Sequence, residues 1–278
     1  MFKSILPVAG HMTYGIGFIG AGKMATAMIE GIVAKGLYKK EEVVACCRSE
    51  STKQRMEGLG IDCYLDPKPV FKQCDTIVIA VKPNQIKDIL TTNSEANSSK
   101  KLLISVAAGV KIPTLESYVP DSKIVRVMPN VCSTVLEGTS SYTLGTKTTA
   151  EDGLRVKAIL DAIGFSFEIP EQDIDAVTGM SGSSPAFLFM VIDAMTDAGV
   201  ELGLPKDLSR KLAAQTMLGS AKTVLETGRE PEELKQSVCS PGGTTIEGVK
   251  VLDDLKMKDA FKAAIKASAE KSKRMGGN

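Results

Sequence analysis

Ile16-Gly17-Phe18-Ile19-Gly20-Ala21-Gly22-Lys23-Met24-Ala25 is an apolar strand that runs into Gly-x-Gly-x-x-Ala and then directly into a helix. Gly20 permits the tight turn off the strand, and Gly22, lacking a Cβ, lets a pyrophosphate approach the backbone. Ala25 is small enough for close helix–strand packing, and free N–H groups at the helix N-terminus face the phosphate. Alone, Gly-x-Gly-x-x-Ala is a weak signal, because glycine turns between strand and helix are common. Its setting decides the reading. A strand over residues 14–19 and a helix ending near Gly36 make it a dinucleotide site rather than a structural turn.

Working outward, short apolar runs at 14–19, 43–47, 61–64, 76–81, 102–106 and 124–128 read as strands. Each is bounded by Gly, Pro or polar clusters, as buried parallel strands are. Helical stretches lie between them at 23–35, 51–58 and 83–90. Repeated βα units imply a doubly wound, parallel (Rossmann) sheet with ligands at the C-terminal ends of its strands. After Phe167 the strands stop. Helical periodicity then covers 173–180, 185–202, 205–227, 231–238, 243–252 and 257–273, with prolines at several first turns. The expected organisation is a tail over 1–12, a nucleotide-binding α/β domain over 13–167 and an all-helical domain over 168–278.

Residues 185–200 are apolar on nearly every face, so this helix must be buried on several sides. Burial against a second subunit is the preferred reading, and the centre of a monomeric bundle the alternative.

Composition narrows the function classes. The 278 residues carry 34 basic and 33 acidic side chains, which gives no electrostatic case for nucleic acid or an anionic membrane. No apolar run approaches the ~20 residues that span a bilayer. Six cysteines show no C-x-x-C spacing, and four sit in or beside apolar segments, as buried thiols of a reducing, cytoplasmic compartment do. The single histidine is His11, in a Gly-His-Met stretch that reads as a cloning remnant. Neither a zinc site nor a histidine proton relay is expected.

Other strand ends add chemistry. The second strand ends Cys46-Cys47-Arg48-Ser49, where an NAD site carries Asp or Glu; arginine and a hydroxyl suit a 2′-phosphate instead. Glu50, further along, leaves NADH open. The fourth ends Ala80-Val81-Lys82-Pro83, which puts a lysine beside the crevice; a solvated lysine before a helix start is the other reading. The fifth runs into Val106-Ala107-Ala108-Gly109, small side chains against which a flat ring can lie, and the sixth brings Asn130 to the crevice mouth. In the helical half, Ser240-Pro241-Gly242-Gly243-Thr244-Thr245 offers backbone donors and hydroxyls at a helix start, suited to a small carboxylate or serving only as a cap.

Together these segments, with Asp175-Ala176-Val177-Thr178-Gly179-Met180-Ser181-Gly182-Ser183, closely resemble the pyrroline-5-carboxylate reductase family over Gly15 to Lys273. The last two motifs in combination are the specific ones. Ser184 and Phe187 depart from it, at positions where the family usually has glycine and tyrosine.

The resemblance implies NAD(P)H-dependent reduction of the cyclic imine 1-pyrroline-5-carboxylate to L-proline, the last step of proline biosynthesis. It implies NADPH as cofactor, with NADH open, no metal, and a homodimer assembled into a decamer. It puts Ile19, Gly20, Ala21, Gly22, Lys23 and Met24 on the pyrophosphate and Cys47, Arg48 and Ser49 at the adenosine ribose. Ala80, Val81, Lys82, Pro83, Val106, Ala107 and Ala108 line the rest of the cofactor. Asn130, read from its strand end, joins them, with Ser237 nearby. Ser240, Gly243, Thr244 and Thr245 hold the substrate carboxylate. Thr245 is the residue expected to manage the ring-nitrogen proton. Glu171 either faces the ring nitrogen from the dimer partner or is an ordinary charge near a helix start.

Two rivals are set aside on residues. A β-hydroxyacid dehydrogenase needs a lysine on its interdomain helix, and Ser183 to Asp193 contains none. A non-catalytic NADP-binding sensor has no need of the carboxylate loop at 240–245.

Overall fold

The computed structural model describes residues 14–277, so the tail expected at 1–12 lies outside it. The chain begins β1 (Ile16–Ile19), α1 (Lys23–Ala34), β2 (Val43–Cys46), α2 (Glu50–Gly58), β3 (Asp62–Tyr64), α3 (Lys68–Gln73), β4 (Thr76–Ile79) and α4 (Pro83–Thr92). It continues β5 (Leu102–Ser105), α5 (Ile112–Tyr118), β6 (Lys123–Met128), β7 (Gly138–Leu144), α6 (Ala150–Asp161) and β8 (Gly164–Glu168). All six expected strands are present, most of them slightly shorter than the apolar runs that announced them.

One eight-stranded sheet results, in the order β3-β2-β1-β4-β5-β6-β7-β8. Every neighbouring pair is parallel except β6 with β7, which is antiparallel. The direction of winding reverses between β1 and β4, and ligand crevices open at such a switch point.

Alternation along the strands explains the layers. Ile16, Phe18, Val43, Ala45, Val78 and Ile104 enter one core with α1 and α6 through Met28, Ile32, Val156 and Ile159. Their neighbours Ile19, Val44, Ile77, Ile79 and Leu103 enter a second core with α3, α4 and α5 through Phe71, Ile86 and Leu115. A sheet covered on both faces needs strands apolar at every position, which is why these runs were legible.

Strand β7 is the exception. It reads Gly-Thr-Ser-Ser-Tyr-Thr-Leu, yet Ser140 and Ser141 are fully buried.

The helical part comprises α7 (Ile174–Val177), α8 (Ser184–Glu201), α9 (Lys206–Thr227), α10 (Pro231–Val238), α11 (Thr244–Asp254) and α12 (Met257–Met275). The helix expected at 173–180 is only partly α. From Thr178 to Ser183 it widens into a π-helix. There Thr178 Oγ1 donates to Ile174 O at 2.8 Å and Ser181 Oγ to Val177 O at 3.1 Å, side-chain bonds that compete with regular helical pairing.

Two compact units emerge: residues up to 182 together with those from 268 onward, and residues 183–267. The sheet ends near the expected 167/168 boundary, but the segment that follows stays with it. Glu171 pairs with Arg126 at 3.0 Å, Asn130 Nδ2 donates to Ser181 O at 3.2 Å, and Ser272 Oγ donates to Asp175 at 2.6 Å.

In the second unit α8 and α9 pack closely; a Cβ on Gly199 would come within 2.6 Å of Ser209 Oγ. Most of their apolar surface is nevertheless uncovered in a single copy. Phe189 is 57% exposed, Met190 71% and Leu225 84%. Among the described residues no helix is long and apolar enough to cross a membrane.

Candidate active site

The crevice is built where four strand ends meet in line. Gly20 N–H donates to Cys46 O at 2.9 Å, Ala80 N–H to Ile19 O at 2.8 Å, and Val106 N–H to Ile79 O at 3.1 Å. These bonds extend the sheet ladder into the loops and fix the glycine turn against the end of β4. Gly20 has φ +100°, and a Cβ there would stand 2.4 Å from Ala80 O, so no other residue fits. Gly22 is different: no heavy atom lies within 4 Å of where its Cβ would be. It caps α1 without a side-chain partner, which leaves the first-turn N–H groups open to an anion.

From this turn a cavity of about 740 Å³ extends over Cys47, Arg48 and Ser49 to Ala80, Val81 and Lys82. A bare glycine rim, free helix N–H groups, a wall of Ile19 and Ala80, and basic side chains at the far end fit a phosphorylated dinucleotide. Lys23 and Lys82 are exposed, and Met24 partly buried. Pro83 opens α4. On the neighbouring strand end Val106 is half-buried, Ala107 buried and Ala108 exposed.

Some expected site residues have structural partners. Ser49 caps α2: its Oγ accepts from Thr52 N–H at 3.3 Å and donates to Thr52 Oγ1 at 2.8 Å. Asn130 is buried, with its amide oxygen accepting from Cys132 and Thr139 N–H, each at 3.2 Å. Its amide nitrogen holds the π-helix through Ser181. Glu171 accepts Ile112 N–H at 2.7 Å as well as Arg126. Within this chain those two groups hold its carboxylate; the expected contact with the ring nitrogen concerns a second copy. Cys47 Sγ donates to Ser49 O at 3.3 Å, and Cys63 Sγ donates to Cys47 Sγ at 3.6 Å. Burial pushes the thiols of Cys46 and Cys63 up to about 12, so they stay protonated and inert.

Two crevice residues were not anticipated. Arg55, on the second turn of α2, reaches Ala21 O at 2.6 Å and Thr26 Oγ1 at 2.9 Å. Gln85 lies one turn into α4, and with its amide oxygen turned toward Arg48 it accepts from both terminal guanidinium nitrogens. Their only sequence signal was a polar residue one or two turns into a helix that starts at the crevice.

The second unit holds the other expected cluster between α10 and α11. Gly243 N–H donates to Ser240 O at 3.0 Å, which closes a turn, and Gly242 adopts φ +69°. A Cβ on Gly243 would strike Ser240 Oγ at 2.5 Å, so glycine lets that hydroxyl tuck against the helix start. Thr244 and Thr245 form the first turn of α11, exposed and without a side-chain cap. Ser237 Oγ is spent on Leu234 O at 2.7 Å. Among the described residues, no group of three or more His, Cys, Asp or Glu is placed to hold a metal.

A glycine turn at the switch point of a Rossmann sheet, beside a cavity that fits a phosphorylated dinucleotide, marks a dinucleotide-binding protein. Comparison with known proteins agrees. Residues 15–109 match the model of the NADP oxidoreductase, coenzyme F420-dependent family, and 171–275 that of pyrroline-5-carboxylate reductase dimerisation. A pyrroline-5-carboxylate reductase of Methanosarcina acetivorans is 41% identical over 94% of this chain and 97% of its own. The structure of one from Coxiella burnetii superposes with a TM-score of 0.89 at 32% identity, covering 96% of this chain and all of that one. A Plasmodium falciparum pyrroline carboxylate reductase with NADP bound gives 0.84 at 34% identity, covering 94% and 98%. The chain belongs to the pyrroline-5-carboxylate reductase family.

Proposed function

We propose that this enzyme reduces 1-pyrroline-5-carboxylate to L-proline and draws on NADPH in preference to NADH. The carrying observation is the near-full-length identity to reductases of that name, joined to an intact glycine–threonine loop at 240–245. The reduced nicotinamide, when bound, supplies the hydride for the C=N bond. The chain's own residues bind and orient. The free N–H groups before Lys23 and Met24 take the pyrophosphate, and Arg48 takes the 2′-phosphate.

Backbone N–H groups at the start of α11, with the Ser240 hydroxyl, hold the substrate carboxylate. The Thr245 hydroxyl contacts the ring nitrogen as it becomes an amine. Glu171 is assigned to the scaffold through Arg126 and Ile112.

The matched dimerisation region and the uncovered apolar surface of α8 and α9 support a homodimer, and further assembly to a decamer is consistent with both. The buried, reduced thiols of Cys46, Cys47, Cys63 and Cys74 support a cytoplasmic address. Steady-state oxidation of NADPH and of NADH with the imine as second substrate tests the reading. No turnover with either coenzyme overturns it.

A further inference from the structure

Arg48 stands exposed at the end of β2, and a free arginine there would sample many rotamers. It is not free. With the Gln85 amide turned so that its oxygen faces the guanidinium, Nη2 donates to it at 3.1 Å and Nη1 donates alongside. The two residues come from β2 and α4, which flank the same cavity, and both line it. Lys82, just before α4, and Asp88, on it, are the other charged side chains of that wall.

We infer that Gln85 is a specificity-determining residue: it holds Arg48 in place for a 2′-phosphate and so tunes the choice between the two coenzymes. The inference rests on the reading of Arg48 as the 2′-phosphate group. A neutral amide suits the task for two reasons. It spends some of the five guanidinium donors and leaves the others, with the whole positive charge, for the phosphate. It also restricts the planar fork before the ligand arrives, which lowers the ordering cost of binding. A carboxylate at the same place would hold Arg48 as firmly, but it would cancel its charge and repel the phosphate. An aliphatic side chain would leave the charge and remove the hold.

The test is calorimetric titration of the purified enzyme with NADP⁺ and with NAD⁺, for the unchanged chain and for Gln85→Glu, Gln85→Leu and Arg48→Gln. Thermal melts of each confirm a folded chain. Gln85→Glu is expected to raise the Kd for NADP⁺ by about tenfold or more, and to lower the NADP⁺/NAD⁺ preference in proportion. Gln85→Leu is expected to raise it by about threefold, and in turnover the loss should fall on KM for NADPH rather than on kcat. If Arg48→Gln removes the preference while both Gln85 variants keep it within about twofold, the role of Gln85 is overturned and that of Arg48 stands. If Arg48→Gln leaves the preference intact, or the unchanged enzyme has none, the 2′-phosphate reading itself fails.

Discussion

Arg55 and Ala21 are joined by a hydrogen bond of 2.6 Å from the guanidinium Nη2 to the main-chain carbonyl. Arg55 belongs to α2 and Ala21 to the glycine turn, so the bond ties the helix that follows Arg48 to the loop proposed to receive the pyrophosphate. Nη1 adds Thr26 Oγ1 on α1 at 2.9 Å. One side chain thus sets the distance between two parts of the nucleotide site.

Arg55→Ala is expected to raise the KM for coenzyme about tenfold, the range for loss of a charge-assisted bond, with a smaller effect on kcat. Arg55→Lys should recover little, because a point charge cannot span both acceptors. Steady-state kinetics with coenzyme varied checks this. An unchanged KM in the alanine variant refutes the coupling.

Glu171→Gln should cost stability more than catalysis. Arg126 is 5% exposed and pairs with Glu171, so weakening the carboxylate strands a buried guanidinium. Because Glu171 itself is partly solvated, a loss of about 1–3 kcal/mol is expected from denaturant unfolding. A large rise in KM for the imine with stability intact would return Glu171 to the substrate.

The Thr245 hydroxyl is assigned a contact that strengthens as the imine nitrogen becomes an amine. Thr245→Ala should therefore lower kcat as well as raise the KM for the imine, and Thr245→Ser should restore much of both. Ser240→Ala should act mainly on KM, since the carboxylate is the same in ground and transition states. Wild-type kcat in Thr245→Ala would reduce the loop to a carboxylate clamp.

Placing a charge on the uncovered face of α8 tests the assembly. Phe189→Asp should yield a smaller, poorly active species in size-exclusion light scattering, while the unchanged chain is at least dimeric at micromolar concentration. A stable, active monomer of the unchanged chain contradicts the dimer.

Asp152 gives the acid response a specific source. Burial by itself raises its pKa, but the Lys123 ammonium at 2.9 Å and the Thr149 N–H and hydroxyl, both at 2.8 Å, outweigh burial and hold it low. A folded value below the unfolded ~3.9 means the stabilisation is complete above that pH and lost as pH falls through the lower folded value. Asp152→Asn should lower the Tm at neutral pH and make the acid limb shallower. An acid limb of the same steepness would assign the effect to other carboxylates.

Reading the sequence worked where one force dominated. Strands β1, β2, β4 and β5 are mostly apolar, with Thr76 and Ser105 at strand ends, because both sheet faces are covered, and Gly20 is dictated by its turn. Strand β7 escaped because Ser140 and Ser141 are buried as polar residues, which no hydrophobic pattern reveals. The π-helical turn at 178–183 escaped because width, not periodicity, distinguishes it from an α-helix. The open backbone at Gly22 and the turn closed between Ser240 and Gly243 were legible from their glycines. Ser49, Asn130 and Glu171 were read from position alone, and the structure adds the partners their polar atoms have within the chain. Such partners depend on long-range placement, as Arg55 on Ala21 does, and local sequence carries no trace of it.

The bare flanks of α8 and α9 also bear on how this protein comes into being. The first unit takes in residues from 268 onward, so a newly made chain completes it only after the second unit has been synthesised. In the proposed homodimer, the second unit further requires an encounter with another copy to cover its helices. Its maturation is then a second-order event, quickening with the square of the supply of chains and slowing sharply when few are made. For such a dimer, low expression would leave more subunits with uncovered helices, exposed to chaperones and proteases, and working enzyme would rise more steeply than its synthesis.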